Sequence, residues 1–234
     1  GHARARGILT HTDAVQAASQ LPLDAQKLGV DMMSIGAHKF YGPKGVGALI
    51  CLNASLLDSK KIRPLLRGRG QEGGIRSGTQ SPGLIHGFYQ ASQIALRDQG
   101  TRVETIAKLH AYFKTQLETR KLLAKTDQKD AWLRWNSPES GSAHIVNVSA
   151  PGMKSNPLIR LIAESGALVS AGSACSSSRI TPDRVLQAMG LAPECLTSAF
   201  RVSFAATQTL PEVDRLIDAI ERAIKQMRTL GGLR

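Results

Sequence analysis

Aromatic side chains are scarce in this 234-residue chain, at 4% of the residues. A stacking platform for single-stranded nucleic acid needs several aromatic rings along one groove. The net charge of +12 and the isoelectric point near 10.1 would otherwise favour a nucleic-acid partner. The positive residues, however, are scattered along apparent helices such as residues 102–125, at spacings that predict solvent exposure. The composition therefore argues against specific nucleic-acid binding and leaves an acidic partner protein open.

Cysteine is also rare, with Cys51, Cys175 and Cys195 as its only occurrences. An odd number without a CxxC pair fits neither a disulfide framework nor a structural zinc site. The histidines show no HExxH or comparable ligand spacing, so no metal site is predicted. No apolar stretch reaches the roughly 20 residues that span a membrane, and no signal-peptide pattern opens the chain. We therefore expect a soluble cytoplasmic protein with no membrane partner.

Short apolar runs alternate with helical periodicity in the first part of the chain, which predicts an α/β sheet covered by helices. A domain boundary is predicted near Gly100, so that residues 1–100 form an α/β domain and residues 101–234 a smaller α+β domain. The elements predicted around this boundary are strands ending at Asp13 and at 32–35 and 46–52, and helices at 83–98 and 103–123.

The smaller domain is predicted to alternate strands and helices. A strand at 167–170 should lead to a helix at 181–189, with Thr181 as its cap and Pro182 at its first position. The other predicted elements are strands at 144–149 and 200–204 and helices at 157–165 and 211–230.

Lys39 follows an apolar strand and precedes a Gly-Pro turn, with His38 beside it. A lysine that binds pyridoxal phosphate (PLP) needs a carboxylate against the pyridinium nitrogen and donors around the phosphate. Asp13, at a strand end, would be that carboxylate, and Gln16 would donate to the ring oxygen. Spacing alone favours the simpler interpretation, that these are ordinary polar residues near loops.

Three further features suggest a site. Cys175 lies among small polar residues, which predicts an accessible thiol, whereas Cys51 and Cys195 are predicted to be structural. The segment ending at Thr79 is rich in donors for a phosphate, although its glycine spacing lacks the strand and helix of a dinucleotide fingerprint. Arg201, in a predicted strand, would clamp a substrate carboxylate or simply form a surface ion pair.

Taken together, the motifs of this chain resemble those of cysteine desulfurases. The motifs are His11–Gln16, Ser34–Gly47, Arg76–Thr79, Ser170–Ser177 and Arg201–Ser203. The resemblance implies a fold type I PLP-dependent transferase, with a partial large PLP-binding domain followed by a small C-terminal domain that carries the Cys175 loop. It also implies a homodimer with active sites at the subunit interface. The upstream part of the family pattern is not present, so we expect an N-terminally truncated chain.

The resemblance implies a role for each matching residue. Lys39 would hold PLP covalently, Asp13 would pair with the ring nitrogen, and Gln16 would contact the ring oxygen. Gly36, Ala37 and His38 would form a segment that binds the phosphate, and His38 would also be catalytic. Thr79 would bind the phosphate in the partner subunit, and Arg201 would bind the substrate carboxylate. Gly36 departs from the family pattern, because many relatives have a serine there, and one phosphate donor would be missing.

The implied reaction converts L-cysteine to L-alanine and leaves the sulfur on Cys175 as a persulfide. An iron–sulfur scaffold or another acceptor protein would then take the sulfur. Two alternatives remain open at this point: a selenocysteine lyase with the same machinery, and an inactive fragment that acts only as a binding module for a sulfur acceptor or a nucleic acid. A class-V aminotransferase without desulfurase activity is disfavoured by the loop around Cys175.

Overall fold

The structure, a computed structural model, describes residues 2–58, 62–123, 132–172 and 183–230. The chain divides into two compact units, Gly1–Arg102 and Val103–Arg234. The identification of the two units as a large PLP-binding domain and a small catalytic-loop domain stays a prediction. Within the described residues, no helix is long and apolar enough to cross a bilayer.

The first unit is built around a short mixed sheet. Its elements are α1 (His2–Ala5), β1 (His11–Asp13), α2 (Ala25–Leu28), β2 (Met32–Gly36), β3 (Gly47–Cys51), α3 (Ser55–Asp58) and α4 (Pro82–Arg97). β1 runs parallel to β2, and β2 runs antiparallel to β3. The strands and the helix predicted for this part of the chain are therefore confirmed, with ends shifted by one or two residues.

A small apolar cluster joins the sheet of the first unit to α4. Ala91 and Ala95 lie on the buried face of this helix and pack with Phe40 and Ala18. The Phe40 ring also lies 5.8 Å, centroid to centroid, from the ring of Phe88 on the same helix. Small alanines allow the helix to approach closely, so the segment that carries Phe40 is held against α4.

The second unit contains an antiparallel sheet whose strands lie in the order β4 (Arg134–Trp135), β5 (Ile145–Ser149), β7 (Ala199–Ser203) and β6 (Ser170–Ala171). Helix α5 (Gln99–Thr119) begins just before the division between the units and continues into the second. The elements that follow are β4 (Arg134–Trp135), β5 (Ile145–Ser149), α6 (Ser155–Glu164), β6 (Ser170–Ala171), α7 (Arg184–Ala188), α8 (Pro193–Ser198), β7 (Ala199–Ser203) and α9 (Leu210–Leu230).

The core of the second unit follows directly from hydrophobic periodicity. In α9, residues Val213, Ile217 and Ile224 lie on one face at helical spacing and are buried. In β5, alternate residues Val146 and Val148 point inward, as the period of two in a strand requires. These side chains pack with one another in a single large apolar cluster.

Two details of the second unit differ from the sequence prediction. The strand predicted at 167–170 is shorter and later, because only Ser170 and Ala171 pair with β7. The cap of α7 is Asp183, whose side chain accepts hydrogen bonds from the N–H groups of Val185 and Leu186. Thr181 and Pro182, which the sequence predicts as the cap and the first position of this helix, lie outside the described part of the chain.

Helix α5 corrects a further expectation. Its basic residues were predicted to face solvent, but the Arg102 side chain is only 9% exposed. Helical spacing cannot reveal that the first turn of a helix is covered by a neighbouring loop. The strand β4 and the helix α8 were not predicted, because each is too short to give a periodic signal.

We expect Phe113→Ala to destabilise the chain by about 3–5 kcal/mol, because it leaves a cavity where a fully buried ring now packs. Urea unfolding followed by circular dichroism measures the free energy. Lys108→Ala, at an exposed position of the same helix, is the matched control and should change stability by less than about 0.5 kcal/mol. Equal losses for the two variants would contradict the burial of Phe113.

Candidate active site

The parallel pairing of β1 and β2 brings the predicted site residues of the first unit to one edge of its sheet. Asp13 is the last residue of β1 and lies opposite Ser34 of β2. Gln16 follows in the next turn, and Gly36 ends β2. Since the carboxyl ends of parallel strands lie at the same edge, Asp13 and the residues after Gly36 emerge on the same side.

The turn after β2 presents its polar residues outward and its apolar residues inward. It is one turn of 3₁₀ helix, Ala37–Phe40, in which Ala37 and Phe40 are buried while His38 and Lys39 are exposed. Among the described residues, none forms an ion pair with Lys39. The turn therefore offers a free primary amine on a segment whose other side is packed.

Tyr41 closes this turn in a left-handed conformation, with φ at 67°. A side chain in this region costs about 1–2 kcal/mol, so the conformation persists only where its surroundings impose it. The N–H groups of Tyr41 and Gly42 both donate to the carbonyl oxygen of Ala37. At Gly42, an added Cβ would lie 2.8 Å from the Cβ of Ala37, so no larger residue fits.

The predicted phosphate segment, Gly36 to His38, has one donor already in use. The N–H of Ala37 donates to the carbonyl oxygen of Val46 at 3.2 Å. The His38 imidazole folds back over Gly36, since a Cβ added there would lie 3.2 Å from His38 Cε1 and 3.3 Å from His38 Nδ1. A serine at this position would therefore require the imidazole to shift by a few tenths of an ångström.

The Asp13 carboxylate keeps most of its accepting capacity. One oxygen accepts the N–H of Val15 at 2.9 Å, and the side chain is exposed. Beside it, His11 Nε2 lies 2.8 Å from the Ser34 hydroxyl. The sequence did not predict this contact, although the period of two in a strand puts His11 and Asp13 on the same face.

Thr79 lies on the exposed loop before α4. In the part of the chain that the structure describes, its side chain forms no hydrogen bond with Asp13, Gln16 or Lys39. The structure of one chain thus does not bring Thr79 to this group. The role that the resemblance implies, in the partner subunit, stays a prediction.

Arg201 lies in the second unit, between two strands of the sheet. Its neighbours across the ladder are Asn147 on β5 and Ser170 on β6. One terminal nitrogen, Nη1, donates to the carbonyl oxygen of Gly172 at 3.4 Å, but the buried Nε has no partner among the described residues. The surface ion pair that the sequence left open is not found within those residues. A buried, unpaired guanidinium N–H fits an anionic ligand such as a carboxylate.

The structure describes the surroundings of two of the three cysteines, Cys51 and Cys195. Cys175 lies outside the described residues. Cys195 is buried in α8, and burial, followed by the charge of Glu194, raises the pKa of its thiol. Cys51 is half-buried at the end of β3. The described residues contain no cluster of His, Cys, Asp or Glu that could hold a metal ion.

The comparisons with known proteins support a PLP-dependent enzyme family. The family model for aminotransferase class-V matches residues 1–216, and the chain belongs to this family. The curated relatives include cysteine desulfurase IscS of Dictyoglomus turgidum, 34% identical over 224 residues, which cover 95% of this chain and 53% of the relative. Cysteine desulfurase IscS of Edwardsiella ictaluri is 36% identical over 229 residues, which cover 98% of this chain and 53% of the relative.

The chain spans about half the length of these curated relatives. Among solved structures, a NifS-like protein is 31% identical, with a TM-score of 0.76 over 94% of this chain and 53% of the other. A NifS-like protein of Rickettsia africae has a TM-score of 0.79 over 95% of this chain and 55% of the other, at 24% identity, which compares the fold alone. The resemblance to cysteine desulfurases and the partial fold type I architecture are thereby confirmed.

Because its pKa is raised, we expect the Cys195 thiol to react more slowly than Cys51 with iodoacetamide at pH 7. A raised pKa leaves a smaller fraction of Cys195 as thiolate near neutral pH. The difference between the two reaction rates should narrow as the pH rises above the ordinary thiol pKa, because Cys195 then ionises as well. Peptide mass spectrometry of the folded chain measures both rates, with the urea-unfolded chain as control. Equal rates in the folded chain would contradict the burial of Cys195.

Proposed function

We propose that the chain is part of a PLP-dependent cysteine desulfurase, which converts L-cysteine to L-alanine and transfers the sulfur to Cys175. The observation that carries the proposal is the grouping of an exposed carboxylate, Asp13, and an exposed lysine, Lys39, at the ends of paired parallel strands. Support also comes from curated relatives of 34–36% identity that are named cysteine desulfurases.

The residues at this edge fit the functional groups of PLP. The aldehyde requires a free primary amine, which Lys39 offers, and the pyridine nitrogen requires a carboxylate, which Asp13 offers. Gln16 would contact the ring oxygen. The phosphate would be bound next to Gly36 and His38, and by Thr79 of a second copy of the chain in a homodimer.

When bound, PLP supplies an electron sink that stabilises negative charge on the α-carbon of an amino acid. The residues of the chain provide the rest. Lys39 Nζ would hold the cofactor and, when free, move the α-proton. Asp13 would keep a proton on the ring nitrogen, and Arg201 would bind the substrate carboxylate, pairing the guanidinium that now has a buried unpaired Nε.

The sulfur acceptor in the chain would be Cys175. The small polar residues around it favour an accessible thiolate, whereas burial of Cys195 disfavours one there. From Cys175 the sulfur would pass to an acceptor, such as an iron–sulfur scaffold protein, in a reducing compartment such as the cytoplasm, where the thiol persists.

Reduction with borohydride tests the cofactor site. We expect PLP to become fixed to Lys39 in the 234-residue chain and not in Lys39→Ala, as read by peptide mass spectrometry. Lys44→Ala removes an exposed lysine from the same loop and is the matched control, with labelling as in the unchanged chain. Labelling of Lys44 in preference to Lys39 would contradict the assignment.

A second variant tests the transfer of sulfur. Cys175→Ser should abolish persulfide formation from L-cysteine while the absorption band of bound PLP remains, because the thiol accepts sulfur but does not hold the cofactor. Cys51→Ser is the control and should retain both signals. Persulfide formation that survives in Cys175→Ser would overturn the role of Cys175.

A further inference from the structure

Arg102 is a buried cation that the site described so far does not use. It lies in the first turn of α5, within the first unit, and its side chain is 9% exposed. Its carboxylate neighbour one turn earlier, Asp98, is instead paired with Arg97 through two hydrogen bonds. A buried guanidinium is costly unless its contacts compensate the lost hydration.

The contacts of Arg102 lead to both turns of the candidate active site. Its Nη2 donates to the hydroxyl of Ser19 at 3.3 Å, and its guanidinium carbon lies 5.0 Å from the centroid of the Tyr41 ring. Ser19 belongs to the turn that carries Gln16. Tyr41 closes the turn that carries Lys39.

Both residues that Arg102 contacts are held in an unfavourable backbone conformation. Ser19 has φ at 64° and Tyr41 has φ at 67°, in the left-handed region that favours glycine. The Tyr41 side chain is 61% exposed, so burial of its ring does not explain how the conformation is kept. Arg102 lies where a single side chain can restrain the two strained residues together.

We propose that Arg102 is a positioning residue, which holds the Lys39 turn and the Gln16 turn in register with each other through Tyr41 and Ser19. Arg102 is not among the residues that we propose to contact the cofactor or the substrate. The consequence for PLP uptake rests on the proposed function, whereas the mechanical coupling of the two turns does not.

Arginine suits this position better than lysine. The planar guanidinium stacks on an aromatic face and donates from its edge at the same time, so one group serves the Tyr41 ring and the Ser19 hydroxyl. A lysine ammonium can lie over the ring but presents a compact point charge. We therefore expect Arg102→Lys to retain part of the effect and Arg102→Met, which has a similar length and no charge, to lose it.

Hydrogen exchange of the chain without cofactor tests the coupling directly. In Arg102→Met, the amides of Tyr41 and Gly42, which both donate to Ala37, should exchange about two- to tenfold faster, the range expected for loss of one cation–π contact. Tyr41→Leu should do the same, Tyr41→Phe should not, and the double variant Arg102→Met/Tyr41→Leu should add nothing further.

The control is Arg97→Met, which removes one positive charge from an exposed residue at the end of α4. Faster exchange confined to residues 15–20 and 37–42, with an unchanged urea midpoint, supports a positioning role. Faster exchange throughout the first unit would overturn it in favour of general stabilisation, and unchanged exchange in Arg102→Met would overturn it as well.

A second readout connects the coupling to the site. Arg102→Met should lower the rate at which borohydride fixes PLP to Lys39. Arg102→Lys should restore part of this rate, and Arg97→Met should leave the rate unchanged. If the unchanged chain takes up no PLP, the proposed function fails while hydrogen exchange still decides the role of Arg102. If the chain takes up PLP and Arg102→Met takes it up equally fast, the positioning role fails alone.

Discussion

The parallel pairing of β1 with β2 is the constraint on which the candidate active site depends. The register Thr12↔Met33 and Asp13↔Ser34 sends the chain out of both strands at the same edge of the sheet. A shift by one residue would turn Asp13 to the opposite face, since side chains alternate along a strand. The carboxylate and the lysine thus come from residues far apart in sequence, and backbone hydrogen bonds bring them to one edge.

The turn that carries Lys39 combines an anchored backbone with a free side chain. Phe40 packs against α4, and two amides converge on the carbonyl oxygen of Ala37. The strain of Tyr41 is balanced by these bonds and, in our proposal, by Arg102. Binding of a ligand by an amine on such a turn costs little backbone entropy, because the backbone is already ordered, and the entropy that is lost is that of the side chain. In the second unit, Arg201 shows the complementary feature, a fixed strand with an unpaired donor.

The strands of the first unit and the position of Asp13 could be predicted from the sequence, because the hydrophobic pattern that indicates them is local. Short apolar runs predicted β1, β2 and β3, and a strand end predicted the position of Asp13. The burial of Arg102 could not be predicted, because it depends on a loop some 80 residues earlier in the chain that covers the first turn of α5. The same holds for the contact between His11 and Ser34, which requires the strand register.

Other features escaped prediction for a different reason. β4 has two residues, Arg134 and Trp135, and becomes a strand only by pairing with β5. Asp183 caps α7 because its carboxylate accepts hydrogen bonds from the N–H groups of Val185 and Leu186 in the first turn. Motif matching pointed to Lys39 and Cys175, because the residues around each of them form a short contiguous pattern.

The central claim is that Asp13 and Lys39 belong to one cofactor site. Titration of the chain with PLP, followed by the visible absorption of the bound cofactor, tests this claim most directly. Asp13→Asn keeps an oxygen for the N–H of Val15 but removes the charge. We predict PLP binding about 10- to 100-fold weaker in this variant, the worth of one charge-assisted hydrogen bond. Asp24→Asn, at the exposed cap of α2, should bind as the unchanged chain does. Equal affinity in Asp13→Asn and the unchanged chain would contradict the site.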